Sequence, residues 1–483
     1  MKLKEALSWT IVSVIIRYAI KLVGNLTLAR LLTPEDFGLS AIVLAVVTGI
    51  EAITDVGTRP ALIRTHRNDD DWLDTAWTLG AVRGIAIAIA IAIAAYPLAH
   101  FFEDARLAPM IVATASMSIL IGVTSITAIT VVRDLQLKHY AILEIVAGVG
   151  GYIVMLSWAW FAPSAWALLS GAIISTGIFT VASHFMFGSR PIRLRWNRAV
   201  LRELTGFGKW VFLSSLAGFF ILQGDRFGVA KLVSVSAAGL YTIAATWAMS
   251  LQTVFGMFLS RLYLPVASQL WRRLGPDNPR FLSLRRSVLV MMIVPYAFAA
   301  GFSDTIIQYL YPQLYFGAGP IMAILVVGGW FSTLEFLYND QLMVSGEPRW
   351  RFYAQLLSVA AMGVGLVAVG RGFDATIIAF IFSGGAVIRS MVLMLVCDRR
   401  HMRQMMPDLA LTAIFLLVTV AARGGAAELM AHVSPLVALV TGVIVAAPPA
   451  SYLAYKGLRG IFALTGGDAE PAAQTAPAVQ GFV

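Results

Sequence analysis

Apolar residues fill this chain in long stretches, separated by short polar segments that collect Arg, Lys, Gly and Pro. A helix needs about 20 mostly apolar residues to cross the hydrocarbon core of a bilayer. Fourteen stretches are candidates, at roughly 8–31, 38–58, 75–98, 108–131, 140–161, 165–187, 207–231, 238–260, 287–308, 319–342, 353–370, 375–397, 408–423 and 436–455. Barrel strands are excluded, because they need only about 9–11 residues and alternate polar with apolar. The pattern therefore predicts an all-α membrane protein of about fourteen transmembrane helices. The first stretch follows MKLKEALS with no small-residue cleavage site. It also exceeds the apolar run of about 7–15 residues in a signal peptide, so it reads as the first span. The end of the chain, TGGDAEPAAQTAPAVQGFV, is rich in Ala, Pro, Gly and Gln and is expected to be disordered.

Composition agrees with the pattern. Of 483 residues, 59% are apolar and 13% charged. A soluble chain carries roughly a quarter charged residues. The mean hydropathy is +0.79. Cys397 is the single cysteine, which excludes an internal disulfide and a cysteine metal cluster. A net charge of +10 raises nucleic acid as a partner. The distribution of the charge argues against it. Alternate loops hold 25 and 5 of the 36 Lys and Arg residues, with the rest inside spans. Cytoplasmic loops collect Lys and Arg, so the rich side is cytoplasmic, with both termini inside.

The chain also matches itself at an offset of 201. Trp9 meets Trp210, Ser13 meets Ser214, Ala29-Arg30-Leu31 meets Ala230-Lys231-Leu232, and Gly38-Leu39 meets Gly239-Leu240. This offset lays the first span on the seventh. Two six-helix lobes in the same orientation follow, related by a pseudo-two-fold along the membrane normal. That is a transporter arrangement with the binding site between the halves. The division expected is an N-lobe at 1–187, a basic cytoplasmic linker at 188–206, a C-lobe at 207–397, two extra helices at 398–463 and a cytoplasmic tail at 464–483.

Charges inside the spans supply the candidate chemistry. Arg17 and Lys21 are four residues apart on one face of the first span, and Ser13 and Asn25 extend the polar stripe. A charge at a helix centre costs about 2.5–3.5 kcal/mol on insertion scales. The stripe must therefore face a wet cavity or partner acids. Glu51 and Asp55 are four apart on the second span, and Glu51 matches Arg17 in depth. Arg17 is thus either a cavity residue or half of a buried pair with Glu51. Lys21 has only Val47 and Thr48 opposite it and is the sharper anion-binding candidate. Arg83 and Arg389 have no acid within four residues in their own spans, which makes them further cavity candidates. Asp225 and Arg226 either neutralise each other or leave Asp225, with Glu51 and Asp55, for ion coupling. Glu144, Glu335 and Asp340 are expected to pair with loop arginines, and Arg261 to snorkel.

No enzyme signature appears. There is no HExxH and no GxxxxGK[ST], the six histidines are scattered, and no cofactor is implied. DDDWLD at 69–74 reads as a solvated acidic run at a helix start, where carboxylates suit the dipole.

The stretch ARLLTPEDFGL at 29–39 resembles one characteristic of the polysaccharide transporter family, the Wzx-type flippases of the MATE-like exporter superfamily. DVGTRPALIR, VVRDLQLKHYAILEIV and GDRFGVAKLVSVSAAGLYTIA look similar to the same family. The resemblance implies fourteen helices in two lobes around a central cavity. It implies alternating-access movement of undecaprenyl-pyrophosphate-linked oligosaccharide across the bacterial inner membrane, from cytoplasmic to periplasmic leaflet. The product would be O-antigen, capsule or exopolysaccharide, with polysaccharide polymerase and chain-length proteins as partners. The family has no strict catalytic motif, so it assigns no site residue. The PEDFG segment is expected to form a turn at the periplasmic corner. A cation-coupled multidrug exporter and a lipid II flippase share the architecture. An O-antigen polymerase or ligase needs a large periplasmic loop, and the outer loops here are short.

Overall fold

The computed structural model describes residues 16–53, 69–133, 137–186, 194–198, 200, 208–264, 266–268, 270, 278–344, 349–369, 372–399 and 404–466. Among the described residues the regular elements are helices, with no strand. The first half of the chain holds α1 (16–28), α2 (Pro34–Ile53), α3 (Asp70–Phe101), α4 (Leu107–Gly122), α5 (Leu137–Phe161) and α6 (Ala165–Met186). The second half holds α7 (Gly208–Leu232), α8 (Val235–Phe258), α9 (Pro279–Gly301), α10 (Ala318–Val344), α11 (Arg349–Val369) and α12 (Ala375–Cys397). Then come α13 (Met405–His432) and α14 (Pro435–Gly466). Nine of the described helices are long and apolar enough to cross a bilayer. Their outward faces carry large apolar side chains such as Ile93, Val367, Leu417 and Val445. In water such a surface would aggregate; against lipid it is the favoured one.

Several stretches differ from expectation: the ninth ends at Gly301 and is followed by a short helix, Ser303–Leu310, and the fourteenth runs on to Gly466. The fourth is interrupted at Val123–Ser125 and resumes as a short helix, Ile126–Arg133. The thirteenth runs on past Arg423 to His432. Arg423 reads as a span end, but its guanidinium reaches Asp304 at 2.7 Å, which removes the reason to stop there.

The PEDFG segment is not a turn. Thr33 caps α2, with Pro34 as the first helical residue, a position that needs no N–H. The Asp36 carboxylate accepts from the Thr33 N–H at 3.0 Å and from its hydroxyl at 2.8 Å. This reciprocal arrangement is a capping box with Asp in the third position. At the offset of 201, Ser234 caps α8 and accepts from the Ala237 N–H at 3.0 Å. Gly38 then lies inside α2, where it meets the Val235 carbonyl, and Gly239 lies inside α8, where it meets the Pro34 carbonyl. These positions, matched at the offset of 201, thus meet in a reciprocal crossing of α2 and α8.

Around this crossing, α2 also packs on α7, and α8 on α10. Within the halves, α3 pairs with α4, α5 with α6, and α10 with α12, while α13 and α14 lie on α9. Further contacts join the halves at the same end of the bundle. The Tyr315 hydroxyl donates to the Leu32 carbonyl at 2.7 Å. Phe102 stacks on Phe227. Lys231 reaches Glu103 at 2.8 Å.

The acidic run behaves as expected at its start, since Asp70 and Asp71 are exposed in the first turn of α3. Asp71 pairs with Arg195 of the basic segment. Arg285, counted among the loop arginines by sequence, is 1% exposed inside α9. It donates to Asp408 of α13 at 2.6 Å, and Tyr338 of α10 donates to the same oxygen at 2.6 Å. A buried charge pair of this kind costs desolvation and holds only with full geometry.

Candidate functional site

The polar stripe of α1 meets three different environments. Arg17 does not pair with Glu51. Its guanidinium donates to Glu144 of α5 at 2.9 Å, and the pair is partly open, at 41% and 19% exposure. Depth alone matches Arg17 to several acids; the packing of α1 beside α5, with Tyr152 against Gly24, selects Glu144. Glu144 is therefore not a partner of loop arginines. Tyr18 donates to Thr253 of α8 at 2.7 Å and ties α1 to the second half. Lys21 is exposed and, among the described residues, forms no hydrogen bond or ion pair. Asn25 is half-buried one turn further on.

The charge of Arg226, on α7, acts on Lys21 from the second half of the chain. Arg226 donates to Gln223 Oε1 at 2.6 Å and to the Met249 sulfur at 3.6 Å, and its Nε has no partner. Gln223 in turn donates to Thr48 of α2 at 3.1 Å. Asp225 does not satisfy Arg226 through its side chain. Its carboxylate accepts from the Tyr241 hydroxyl at 2.7 Å and from the Arg226 backbone N–H at 2.8 Å. Asp225 is thereby engaged within the second half. The sequence leaves open whether Asp225 neutralises Arg226, and the pattern of charges in the spans does not single Arg226 out. The offset of 201 carried the signal, since it places Arg226 where Asn25 stands in the stripe of α1.

The other candidates are placed elsewhere. Glu51 accepts from the Ser118 hydroxyl at 2.9 Å, and its carbonyl accepts from Arg83 at 2.8 Å. Arg83 and Glu51 are thus joined in the first half, away from Lys21. Arg389 is 7% exposed and is held by Glu335 at 2.8 Å and by the Ser358 hydroxyl at 2.9 Å. It is a buried structural cation between α10, α11 and α12 rather than a cavity residue, and Glu335 serves it instead of a loop arginine. Asp55 lies outside the described residues, as do the side chains of Arg261 and Asp340. Among the described residues no group of three or more His, Cys, Asp or Glu is placed to hold a metal.

The site thus brings together an ammonium from one half and a guanidinium from the other, with amide and hydroxyl groups around them. Such an arrangement attracts an anion, and a guanidinium suits phosphate oxygens in particular. A family model described as "Polysaccharide biosynthesis protein" matches residues 27–320. The chain belongs to this family. This family member is 20% identical over 264 residues to the lipopolysaccharide biosynthesis protein WzxC of Escherichia coli (strain K12), with 54% of each chain covered. The match thus spans about half the length of that relative. It is 21% identical over 375 residues to the succinoglycan biosynthesis transport protein ExoT of Rhizobium meliloti (strain 1021), covering 75% of this chain and 73% of ExoT. Two solved structures share the fold. The lipid II flippase MurJ in an inward closed conformation superposes with a TM-score of 0.68 at 13% identity, covering 94% of this chain and all of MurJ. An inward-facing multidrug resistance MATE family transporter of the MOP superfamily gives 0.61 at 12% identity, covering 80% and 97%. The described residues form an all-α, multi-pass membrane fold, shared with these two transporters.

Proposed function

We propose that this protein moves a lipid-linked oligosaccharide, with an undecaprenyl-pyrophosphate carrier, from the cytoplasmic to the periplasmic leaflet of a bacterial inner membrane. The observation that carries this reading is that cations of the two halves, Lys21 and Arg226, act on each other, while no carboxylate among the described residues is bonded to Lys21. The relatives WzxC and ExoT, named for lipopolysaccharide and succinoglycan biosynthesis, support the substrate class. The two halves act as lobes, 1–187 and 207–397, joined by the basic segment 188–206, with both termini cytoplasmic. On this reading the end bearing the Gly38–Gly239 crossing is periplasmic and closed. The head enters from the cytoplasm, meets Lys21 and Arg226, and leaves when the lobes rock apart at the outer end.

An inside-negative potential favours outward movement of an anion by about 2.3 kcal/mol per charge per 100 mV, so a doubly charged head gains about 4–5 kcal/mol. Two interacting cations disfavour the cationic substrates of a drug exporter. Ion coupling, on this reading, falls to Glu51 and Asp55, and polymerase and chain-length proteins take the product onward.

The test is the double variant Lys21→Ala/Arg226→Ala, with expression matched. Surface polysaccharide and flipping of a labelled lipid-linked oligosaccharide in proteoliposomes should both be lost. Lys21→Arg should retain them. Full activity of the double variant overturns the reading.

A further inference from the structure

The helices that carry the cation pair also wall an apolar chamber of about 700 Å³. On α2, Thr48 reaches Gln223, while Val46, Gly49 and Ile50 line the chamber. On α7, Gln223 and Arg226 belong to the polar site, while Phe219, Phe220 and Phe227 line the chamber. The Phe219 ring lies on the backbone of Gly49, where a Cβ would overlap it, and closes the seam between α2 and α7. From the sides, α3 contributes Phe101 and Phe102, and α12 contributes Phe382. The chamber's lining includes exposed Pro97 of α3 and Gly363 of α11, which adjoin the outward apolar residues Ile93, Val364 and Val367 in their helices. The chamber therefore opens toward hydrocarbon.

None of the lining residues has a polar side chain. Sugars, phosphates and waters find no partner there, and burying them without one is costly. Hydrocarbon meets no such penalty. Six phenylalanines and Met362 form a broad, adaptable wall, suited to a bulky methyl-branched chain.

We propose that this chamber seats a segment of the isoprenoid tail of the carried lipid. The inference rests on the reading that the lipid's anionic head occupies the Lys21–Arg226 site. A head held between the halves must leave its tail at the membrane through a gap between them. The chamber is such a gap, walled by both halves and built on the same turns of α2 and α7 as the polar site. Its walls belong to both halves, so a tail in it is carried with the rearrangement of the lobes.

The test uses the full chain in nanodiscs with two probes, neutral undecaprenol and inorganic pyrophosphate. A Cβ at Gly363 meets no atom within 4 Å, so Gly363→Trp puts an indole at this exposed part of the lining without a backbone clash. Undecaprenol binding should weaken by about tenfold or more, from lost apolar burial, while pyrophosphate binding stays unchanged. Lys21→Ala/Arg226→Ala should do the reverse. A diazirine-bearing undecaprenol should label the unmodified protein within 94–102, 219–227 and 359–366, which keeps the test independent of the variant's folding. Labelling confined to other segments, or undecaprenol binding indifferent to Gly363→Trp, overturns the chamber assignment. Displacement of undecaprenol by straight-chain phosphatidic acid at equal affinity also overturns it, and makes the chamber a seat for bulk lipid. Absence of pyrophosphate binding in the unmodified protein sinks the head site alone.

Discussion

Gly38 and Gly239 each pack against the other's helix: Gly38 of α2 rests on the Val235 carbonyl of α8, and Gly239 of α8 rests on the Pro34 carbonyl of α2. The contacts are backbone to backbone, so no side chain can swing aside to admit a Cβ. Gly38→Ala and Gly239→Ala are each expected to destabilise by about 1–3 kcal/mol, the usual cost of overpacking. The two sites share one crossing, so the double variant should cost less than the sum. Thermal unfolding in detergent, followed by size exclusion, measures this. Wild-type stability in either single variant would show that α2 and α8 are not in contact at this point.

The same crossing shows what the sequence made visible. The offset of 201 pairs Thr33 with Ser234 and Gly38 with Gly239, and all four have matching roles because capping and close approach are local demands on residue type. The spans were legible for a similar reason, as their length and polarity answer to the bilayer alone. Partner choice was not legible. Arg17 has acids at its depth on more than one helix, and only the packing of α1 on α5 gives it Glu144 rather than Glu51. Arg389 meets Glu335 across α12 and α10 for the same reason. Lys21 was legible as a lone cation because no acid lies opposite it on the neighbouring span; its companion Arg226 was hidden behind the adjacent Asp225.

Arg285 and Asp408 form the most deeply buried ion pair among the described ones, at 1% and 2% side-chain exposure. They join α9 to α13. Arg285 Nε and Nη1 have no partner among the described residues, where the pair is incompletely satisfied. Removing one member leaves a bare charge in the bundle. Asp408→Asn and Arg285→Met should each cost about 3–5 kcal/mol. Arg285→Met/Asp408→Leu should cost less than either single change, because replacing both charges by apolar groups is often near neutral. Thermal unfolding of the three variants decides it. A double variant less stable than both singles would contradict the expectation.

The Arg17–Glu144 pair is the opposite case. It is partly open, so its contribution to stability is expected at about 0–1 kcal/mol. Its role is then placement of a cation at the edge of the cavity, or simple neutralisation of Arg17 in the membrane. Glu144→Gln separates these possibilities by freeing Arg17. The charge-swapped variant Arg17→Glu/Glu144→Arg keeps the pair and moves the cation to α5. Retained transport in the swap, with loss in Arg17→Ala, marks the pair as structural. Loss in the swap at unchanged thermal stability marks Arg17 as part of the path of the head. Proteoliposome flipping and unfolding temperature, measured together, give the answer.

Glu103 joins the halves at the end that bears the α2–α8 crossing, and it does so from an unusual backbone position. It follows α3 with φ 59°, where the next N–H, that of Asp104, reaches back to the Ala99 carbonyl at 3.1 Å. Glycine is the usual residue in this geometry, and a side chain there is strained. The side chain present is the one that Lys231 of the second half grips at 2.8 Å. That hydrogen bond, with the Lys231 charge, holds the Glu103 carboxyl below its ordinary range. Arg106 does the same for Asp104 within the first half. A lowered carboxyl stabilises this junction fully above the ordinary carboxylate value of about 4, and the benefit disappears as pH falls through the lowered value. Between pH 8 and 6 the junction should therefore not change, and below about pH 4 it should loosen. Hydrogen exchange of segments 99–107 and 229–235, corrected for intrinsic rates, reads this directly. Glu103→Gln should lose protection in 229–235 already at neutral pH and flatten its acid response there, while Arg106 and Asp104 keep the response in 99–107. Glu103→Gly should relax the backbone yet lose the same protection in 229–235. If both variants follow the wild-type profile in 229–235, Lys231 is not what joins the halves at this end.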